Sequence, residues 1–414
     1  MTVPAKPVDG SRIVNATTCT HLLIVGAGPF GLSAAALARE LGIDTVTVGR
    51  PMGFWREHMP EGLLLRSGPD WHLDATGEHT LRAYLHERRL TPDDVDPIPV
   101  TFFLDYADWF RDAKQIAIRE DLVTGITRND GGFEAELSGG GCVRSDVVIA
   151  APGVGYFAVL PDWAAQVAPG RATHSGDLAS FDTLSGQRVL IVGGRQSAYE
   201  WAALISEHGA ERIDIVHRHP APRFAAVNWD FFDQYIESTL QVEGWWRSLP
   251  STQQAAIRAR CWQAGRATLE PWLPPRLNSS SIHVWPQCRV EYVEGSKHGG
   301  FLQVSLSNSE TLAVDQIVFA TGYAPDLTRV PYLHELLGQI ATHHGFPVLD
   351  ESFQTTLPGL YLTGFAATED FGPFFGFVKA APASSTVLLR ALLRPGLQHR
   401  RNEMPGGTKG TTHL

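Results

Sequence analysis

Short, wholly apolar runs alternate with longer stretches of mixed polarity along the chain, the pattern of a parallel sheet buried on both faces by helices. His21-Leu22-Leu23-Ile24-Val25 predicts a first buried strand, and the alanine-rich stretch from Leu32 to Leu41 predicts the helix behind it. Arg188-Val189-Leu190-Ile191-Val192 predicts a second such strand, followed by a helix over Tyr199 to Glu207. A glycine turn joins each strand to its helix. Gly26-Ala27-Gly28-Pro29-Phe30-Gly31 has G-x-G-x-x-G spacing. Gly26 makes the tight turn, Gly28 lets a pyrophosphate approach the backbone, Gly31 lets helix and strand pack closely, and the helix N-terminus faces the negative charge. Gly193-Gly194-Arg195-Gln196-Ser197-Ala198 matches more loosely. Ala198 is an accepted third residue, whereas Arg195 departs from the second glycine.

The repetition extends further. Asp146-Val147-Val148-Ile149-Ala150-Ala151-Pro152-Gly153 and Asp315-Gln316-Ile317-Val318-Phe319-Ala320-Thr321-Gly322 share one form, with 127 positions from Gly26 to Gly153 and 129 from Gly193 to Gly322. Such near-equal spacing predicts two homologous dinucleotide folds in tandem, an α/β chain with two Rossmann-like domains. In the second, the strand Ile213 to Val216 is followed by His217-Arg218-His219 and Arg223. An acid there binds the 2′-hydroxyl of NAD, whereas an arginine accommodates the 2′-phosphate of NADP, so the cluster favours NADPH with Arg218 as its ligand. A solvated surface charge is the competing reading.

The composition of the 414 residues, 43% hydrophobic and 19% charged, is that of a globular protein, and the net charge of −10 argues against nucleic acid as a partner. No apolar run suits a signal peptide or a membrane span, which predicts a cytoplasmic protein with no membrane partner. Cys19, Cys142, Cys261 and Cys288 form no C-x-x-C pair, and the sixteen histidines show no H-E-x-x-H spacing, so no disulfide framework and no metal site are expected.

Taken together, the glycine turns, Met52-Gly53-Phe54-Trp55, Phe319-Ala320-Thr321-Gly322-Tyr323 and Gly359-Leu360-Tyr361-Leu362-Thr363-Gly364 resemble the two-dinucleotide-domain flavoproteins, most closely the class B flavin monooxygenases of the flavin-containing, N-hydroxylating and Baeyer–Villiger types. The resemblance covers roughly Thr20 to Leu393. It implies an FAD domain in two parts, 20–159 and 316–393, and an inserted NAD(P)H domain over 160–315. The segment of about 224–285, dense in tryptophan, reads as a helical insertion whose aromatics pack its core, line a substrate entrance or anchor a homo-oligomer interface. Residues 1–19 and 394–414 read as flexible ends. Gly26 to Gly31, Trp55 and Gly364 would serve FAD, Gly193 to Ala198 with Arg218 would serve NADPH, and Thr321, Gly322 and Tyr323 would bind a cofactor at the end of the second repeat.

Several departures stand out. Gly49 and Arg50 follow the strand Thr45 to Val48 where such folds carry an acid for the ribose. Arg50 is a candidate for the adenine or the pyrophosphate, a solvated arginine being the alternative. The string Ala168 to Leu178 keeps Gly170 and His174 of the linker signature but neither aromatic, which lowers the Baeyer–Villiger reading and leaves His174 as a linker organiser.

By resemblance, NADPH reduces FAD, oxygen adds to the reduced flavin as a C4a-hydroperoxide, and a small organic substrate is oxygenated at nitrogen or sulfur or hydroxylated. Ser67, Asp70 and His72 are the polar candidates beside flavin and substrate, and Phe371 to Phe377 is an aromatic loop for the same place or ordinary core. An NAD(P)H oxidase or quinone reductase and a non-catalytic flavin-binding protein are the alternatives. A thioredoxin-reductase type needs a redox cysteine pair that the sequence lacks.

Overall fold

The computed structural model describes residues 17–295 and 300–394. Most of the two ends expected to be flexible therefore lies outside the described residues. The first strand, β1 (Thr17–Val25), begins inside the expected N-terminal extension because Thr17 to Thr20 pair with Cys142 to Ser145 of a later strand. Its apolar half, Leu22 to Val25, is buried. Helix α1 (Pro29–Glu40) leads to β2 (Thr45–Val48), parallel to β1 with Leu22 opposite Thr45.

Three helices follow, α2 (Gly53–Glu57), α3 (Leu81–Glu87) and α4 (Val100–Ala113), before the short edge strand β3 (Ile118–Arg119). Strands β4 (Val123–Asn129) and β5 (Gly132–Leu137) then form an antiparallel meander onto the first half of β6 (Cys142–Ala150). On its other edge β6 lies parallel to β1 along its whole length. One continuous strand thus serves both the meander and the nucleotide sheet.

The second unit repeats this plan. β7 (Ala172–His174), β8 (Arg188–Val192) and β9 (Arg212–Val216) enter a parallel sheet, with α5 (Gln196–Glu207) between the last two. The chain then leaves the sheet. Two-residue strands β10 (Arg223–Phe224) and β11 (Thr268–Leu269) pair with each other and enclose α6 (Phe231–Gln241), α7 (Trp245–Ser248) and α8 (Ser251–Arg266). After α9 (Leu273–Leu277) it returns as β12 (Ile282–Trp285) beside β9.

A second meander, β13 (Val290–Glu294), β14 (Leu302–Leu306) and β15 (Thr311–Val314), precedes β16 (Gln316–Phe319), which inserts between β8 and β7. Asp146 and Asp315 therefore occupy equivalent places. At Asp315 the strand breaks, since its carboxylate accepts the Arg188 N–H at 2.9 Å and its carbonyl accepts from Arg171 Nε at 2.7 Å.

The chain finally returns to the first unit. After a small hairpin of β17 (Thr342–His343) and β18 (Phe346–Pro347), β19 (Leu360–Leu362) adds parallel to the second half of β6. Helices α10 (Thr368–Phe371) and α11 (Ala381–Leu392) close the fold, and α11 packs on α1 with the Ser385 hydroxyl donating to Ser33 at 2.9 Å. Among the described residues no helix is long and apolar enough to cross a membrane, and no group of three His, Cys, Asp or Glu is placed to hold a metal ion.

Candidate active site

The three glycines of the first turn have three separate physical causes. A Cβ at Gly26 would lie 2.4 Å from the Ala151 carbonyl oxygen, and one at Gly31 would lie 1.8 Å from the Gly26 carbonyl oxygen. Both are forced by close backbone approach. At Gly28 nothing lies within 4 Å, so that glycine faces open space, as a group approaching the backbone requires. Gly28 is also the N-cap of α1, with no side-chain cap and with Pro29 in the first turn, so the remaining first-turn N–H groups are available to an anion.

A cavity of about 580 Å³ opens at this turn. Gly26, Ala27, Gly28, Pro29, Phe30 and Gly31 form one wall, and Arg50, Trp55 and Gly364 share it with Gly153, Glu57 and Val378. Gly364 has a φ of +78°, and a Cβ there would lie 3.3 Å from the Phe30 ring. The Trp55 ring is held 5.0 Å from that of Phe103 on α4. Arg50, half-exposed, bonds to the Glu57 carboxylate. Neither Gly153 nor Glu57 stands out in the sequence; Gly153 was legible only as the end of the repeat.

In the second turn, a Cβ at Gly193 would lie 2.3 Å from the Ala320 carbonyl oxygen, repeating the Gly26–Ala151 crossing. Gly194 is required by a neighbour instead, since a Cβ there would fall 2.3 Å from the His217 ring. Arg195 stands at the N-cap of α5 in extended conformation, and its guanidinium turns away to lie 4.8 Å over Trp262 and donate to the Arg266 carbonyl. Ser197 is exposed, while Ala198 is buried as a third glycine would be. Arg218 is exposed just past β9.

His217 is neutral, held down to about 4 by burial first and then by His219. Its Nδ1–H donates to the His219 carbonyl at 2.8 Å, so Nε2 accepts from the Tyr199 hydroxyl at 3.0 Å.

Thr321, Gly322 and Tyr323 lie at the seam between the units, outside the wall of the first cavity. The Thr321 hydroxyl donates to the Val159 carbonyl, and Val159 N–H donates to the Gly322 carbonyl at 2.9 Å. His174 Nε2 donates to the same carbonyl at 3.2 Å, and its Nδ1 accepts the Gly176 N–H at 3.0 Å. Burial lowers this imidazole's pKa. Tyr323 packs its ring 5.0 Å from His174 and 6.4 Å from Phe54 of α2.

Residues 23–226 match the family described as pyridine nucleotide-disulphide oxidoreductase, and residues 142–325 match the L-lysine 6-monooxygenase/L-ornithine 5-monooxygenase family. The chain is similar to flavoproteins of the class B monooxygenase type. It is 29% identical over 375 residues to an FAD-dependent urate hydroxylase of Xanthomonas campestris pv. campestris, covering 81% of this chain and 72% of that one. To a probable indole-3-pyruvate monooxygenase, YUCCA8, of Arabidopsis thaliana it is 24% identical, covering 87% of each. In fold it is similar to an ornithine N-hydroxylase of Kutzneria sp. 744, with a TM-score of 0.75 at 16% identity over 90% of this chain and 99% of that one. The L-lysine 6-monooxygenase of Pseudomonas syringae superposes with a TM-score of 0.69 at 19% identity, covering 90% of this chain and all of the other.

A second cavity, of about 600 Å³, lies where the segment after α2 meets the insertion and the start of α9. Ser67 and Asp70 line it together with Trp71, Trp229, Glu270 and Trp272. His72 is in the wall of neither cavity: its Nδ1 accepts the Asp74 N–H at 3.2 Å, and burial lowers its pKa. Asp70 is ion-paired with Lys379, whose ammonium also lies 2.8 Å from Asp233. Burial alone would lower the Lys379 pKa, but the hydrogen bonds to Asp233 and Asp70 outweigh it and the value is raised.

A hydrogen-bonded chain that the sequence did not suggest ties the two units together behind this cavity. Leu64 N–H donates to Glu200 at 3.0 Å, and the Gln196 amide donates to the other Glu200 oxygen at 3.1 Å. The Gln196 side-chain oxygen Oε1 accepts the Glu270 N–H at 3.0 Å, and the Glu270 carboxylate accepts from Arg66 Nε at 2.7 Å. The sequence places Gln196 in the second glycine turn and Glu200 in the helix after it, and nothing in it joins the two.

Proposed function

We propose that the chain is an FAD-dependent, NADPH-using monooxygenase that inserts oxygen into a small organic substrate by N- or S-oxidation or hydroxylation, working in the cytoplasm. One observation carries this reading. Phe377 sits between Gly376 and Val378 of the first cavity, and its ring packs 5.9 Å from Trp71 and 5.2 Å from Trp229 of the second. A dinucleotide held at the Gly28 turn thus has its far end beside a separate, aromatic-walled space open to a substrate.

Bound FAD supplies the hydride acceptance and the activation of oxygen. The chain's own residues do the rest. The α1 N-terminus and Gly28 take the pyrophosphate, and Gly364 with Trp55 shapes the wall further along. Ser197 and Arg218 face the NADPH phosphates, a role supported by their place at and beyond the second turn. Phe377, Trp71 and Trp229 exclude water, and Ser67 and Asp70 present hydrogen-bonding groups to the substrate. Lys379 fixes the Asp70 carboxylate.

The relatives differ in what their names say they oxidise, namely urate, indole-3-pyruvate, ornithine and lysine. The reaction type is the shared element. Stopped-flow absorbance tests it: NADPH added without oxygen should bleach the flavin, and admitted oxygen should restore the oxidised spectrum only after a delay. Immediate restoration with stoichiometric peroxide, both alone and with every substrate tried, would replace this reading by an NAD(P)H oxidase, and absence of bleaching by a non-catalytic flavin protein.

A further inference from the structure

Gly49 directly follows β2, where dinucleotide folds place the carboxylate that binds the ribose hydroxyls. The structure gives a reason for its absence. A Cβ at position 49 would lie 2.8 Å from the Ala27 backbone nitrogen and 3.2 Å from Gly26, so a side chain there collides with the pyrophosphate turn itself. The next residue is Arg50, and an arginine without an acid is the arrangement that suits a 2′-phosphate, which FAD does not carry.

Two carboxylates among the described residues line the same cavity, Asp121 and Glu57. Asp121 is committed to its own loop. Its Oδ1 accepts from Leu122 N–H at 2.8 Å, the Ser138 hydroxyl at 2.5 Å and Gly139 N–H at 2.9 Å, and Oδ2 lies 3.8 Å from Arg119. Glu57, at the end of α2, is different. Oε2 accepts from Arg50, and Oε1 has no hydrogen-bond partner among the described residues. Its side chain is 40% exposed, as a group waiting for a ligand at a cavity wall would be.

We propose that Glu57 replaces the missing β2 carboxylate: Arg50 holds it in place through Oε2, and Oε1 accepts a hydroxyl of the adenosine ribose of FAD. The pairing has a second effect. By neutralising Arg50 it removes the lone cation that would favour a 2′-phosphorylated dinucleotide in the first fold, so Glu57 helps assign FAD to this turn and NADPH to the other. The inference rests on the FAD reading above.

The test is the dissociation constant of the full-length chain, freed of flavin, for FAD and for FMN, which has the isoalloxazine and ribityl phosphate but no adenosine. Loss of one hydrogen bond to a charged acceptor should weaken FAD binding by roughly 10- to 100-fold in Glu57→Ala. Glu57→Gln keeps an acceptor oxygen and should lose less. FMN affinity should be unchanged in both, and circular dichroism of each apoprotein should match the wild type. Equal losses for FAD and FMN, or wild-type FAD affinity in Glu57→Ala, would overturn the assignment of Glu57 alone. A wild-type chain that binds neither flavin would overturn the flavoprotein reading itself.

Discussion

The carboxylate of Glu200, one turn into α5 of the second nucleotide fold, accepts the backbone N–H of Leu64 in the first fold at 3.0 Å. The group is buried, and desolvation raises its pKa to about 7. A raised carboxyl pKa costs stability as pH rises. Below about 4.5 the acid is protonated in both states, between there and about 7 only the unfolded state ionises, and above about 7 the cost is complete. Wild-type Tm should therefore fall across this window, by a free energy of at most about 3 kcal/mol. Glu200→Gln should flatten that slope, checked by thermal melts from pH 4.5 to 8; an unchanged slope would show that Glu200 titrates normally.

The glycines of the first turn should separate binding from folding. Gly31→Ala forces a methyl against the Gly26 carbonyl at 1.8 Å and should destabilise the protein by roughly 1–3 kcal/mol or more. Gly28→Ala meets nothing within 4 Å, so its melting temperature without flavin should match the wild type, while FAD affinity falls because the methyl occupies the approach to the backbone. Differential scanning calorimetry of the apoproteins and flavin titration measure the two effects independently.

Arg218 is exposed directly after β9. If Arg218 faces the 2′-phosphate, as proposed, Arg218→Ala should raise the KM for NADPH about tenfold while leaving that for NADH nearly unchanged. Steady-state flavin reduction with both nucleotides checks this, and equal changes would remove the assignment.

Lys379→Met leaves Asp70 and Asp233 without their shared cation. Both acids stay partly exposed, so the loss should be about 2 kcal/mol, below that of breaking a fully buried pair. Asp70→Asn alone should cost less, since Lys379 keeps Asp233. Urea unfolding of the two variants decides the order.

What the sequence determined by itself is whatever a short stretch of chain encodes locally. Apolar runs require buried strands, and glycine spacing requires a turn in which backbone atoms nearly touch. The near-equal intervals to Gly153 and Gly322 required two copies of one sheet. The tandem plan and the first cradle from Gly26 to Gly31 were legible on those grounds, whereas Trp55 and Gly364 came from the family resemblance and Arg50 from its place where that pattern carries an acid.

Which polar groups meet was set by packing between distant segments. His72 lies two residues from Asp70 in sequence, yet it faces its own backbone while Asp70 reaches Lys379, 309 positions away. Arg195 looked like a damaged phosphate turn, but its side chain leaves the turn for Trp262, and Glu57 gains meaning only because Arg50 folds back onto it. Hydrophobic periodicity reports which side of an element is buried and carries no information about the partner across the interface. Charge pairing and cavity walls depend on elements far apart in the chain, so they became visible only when the sheets, the insertion and the returning C-terminal segment were packed together.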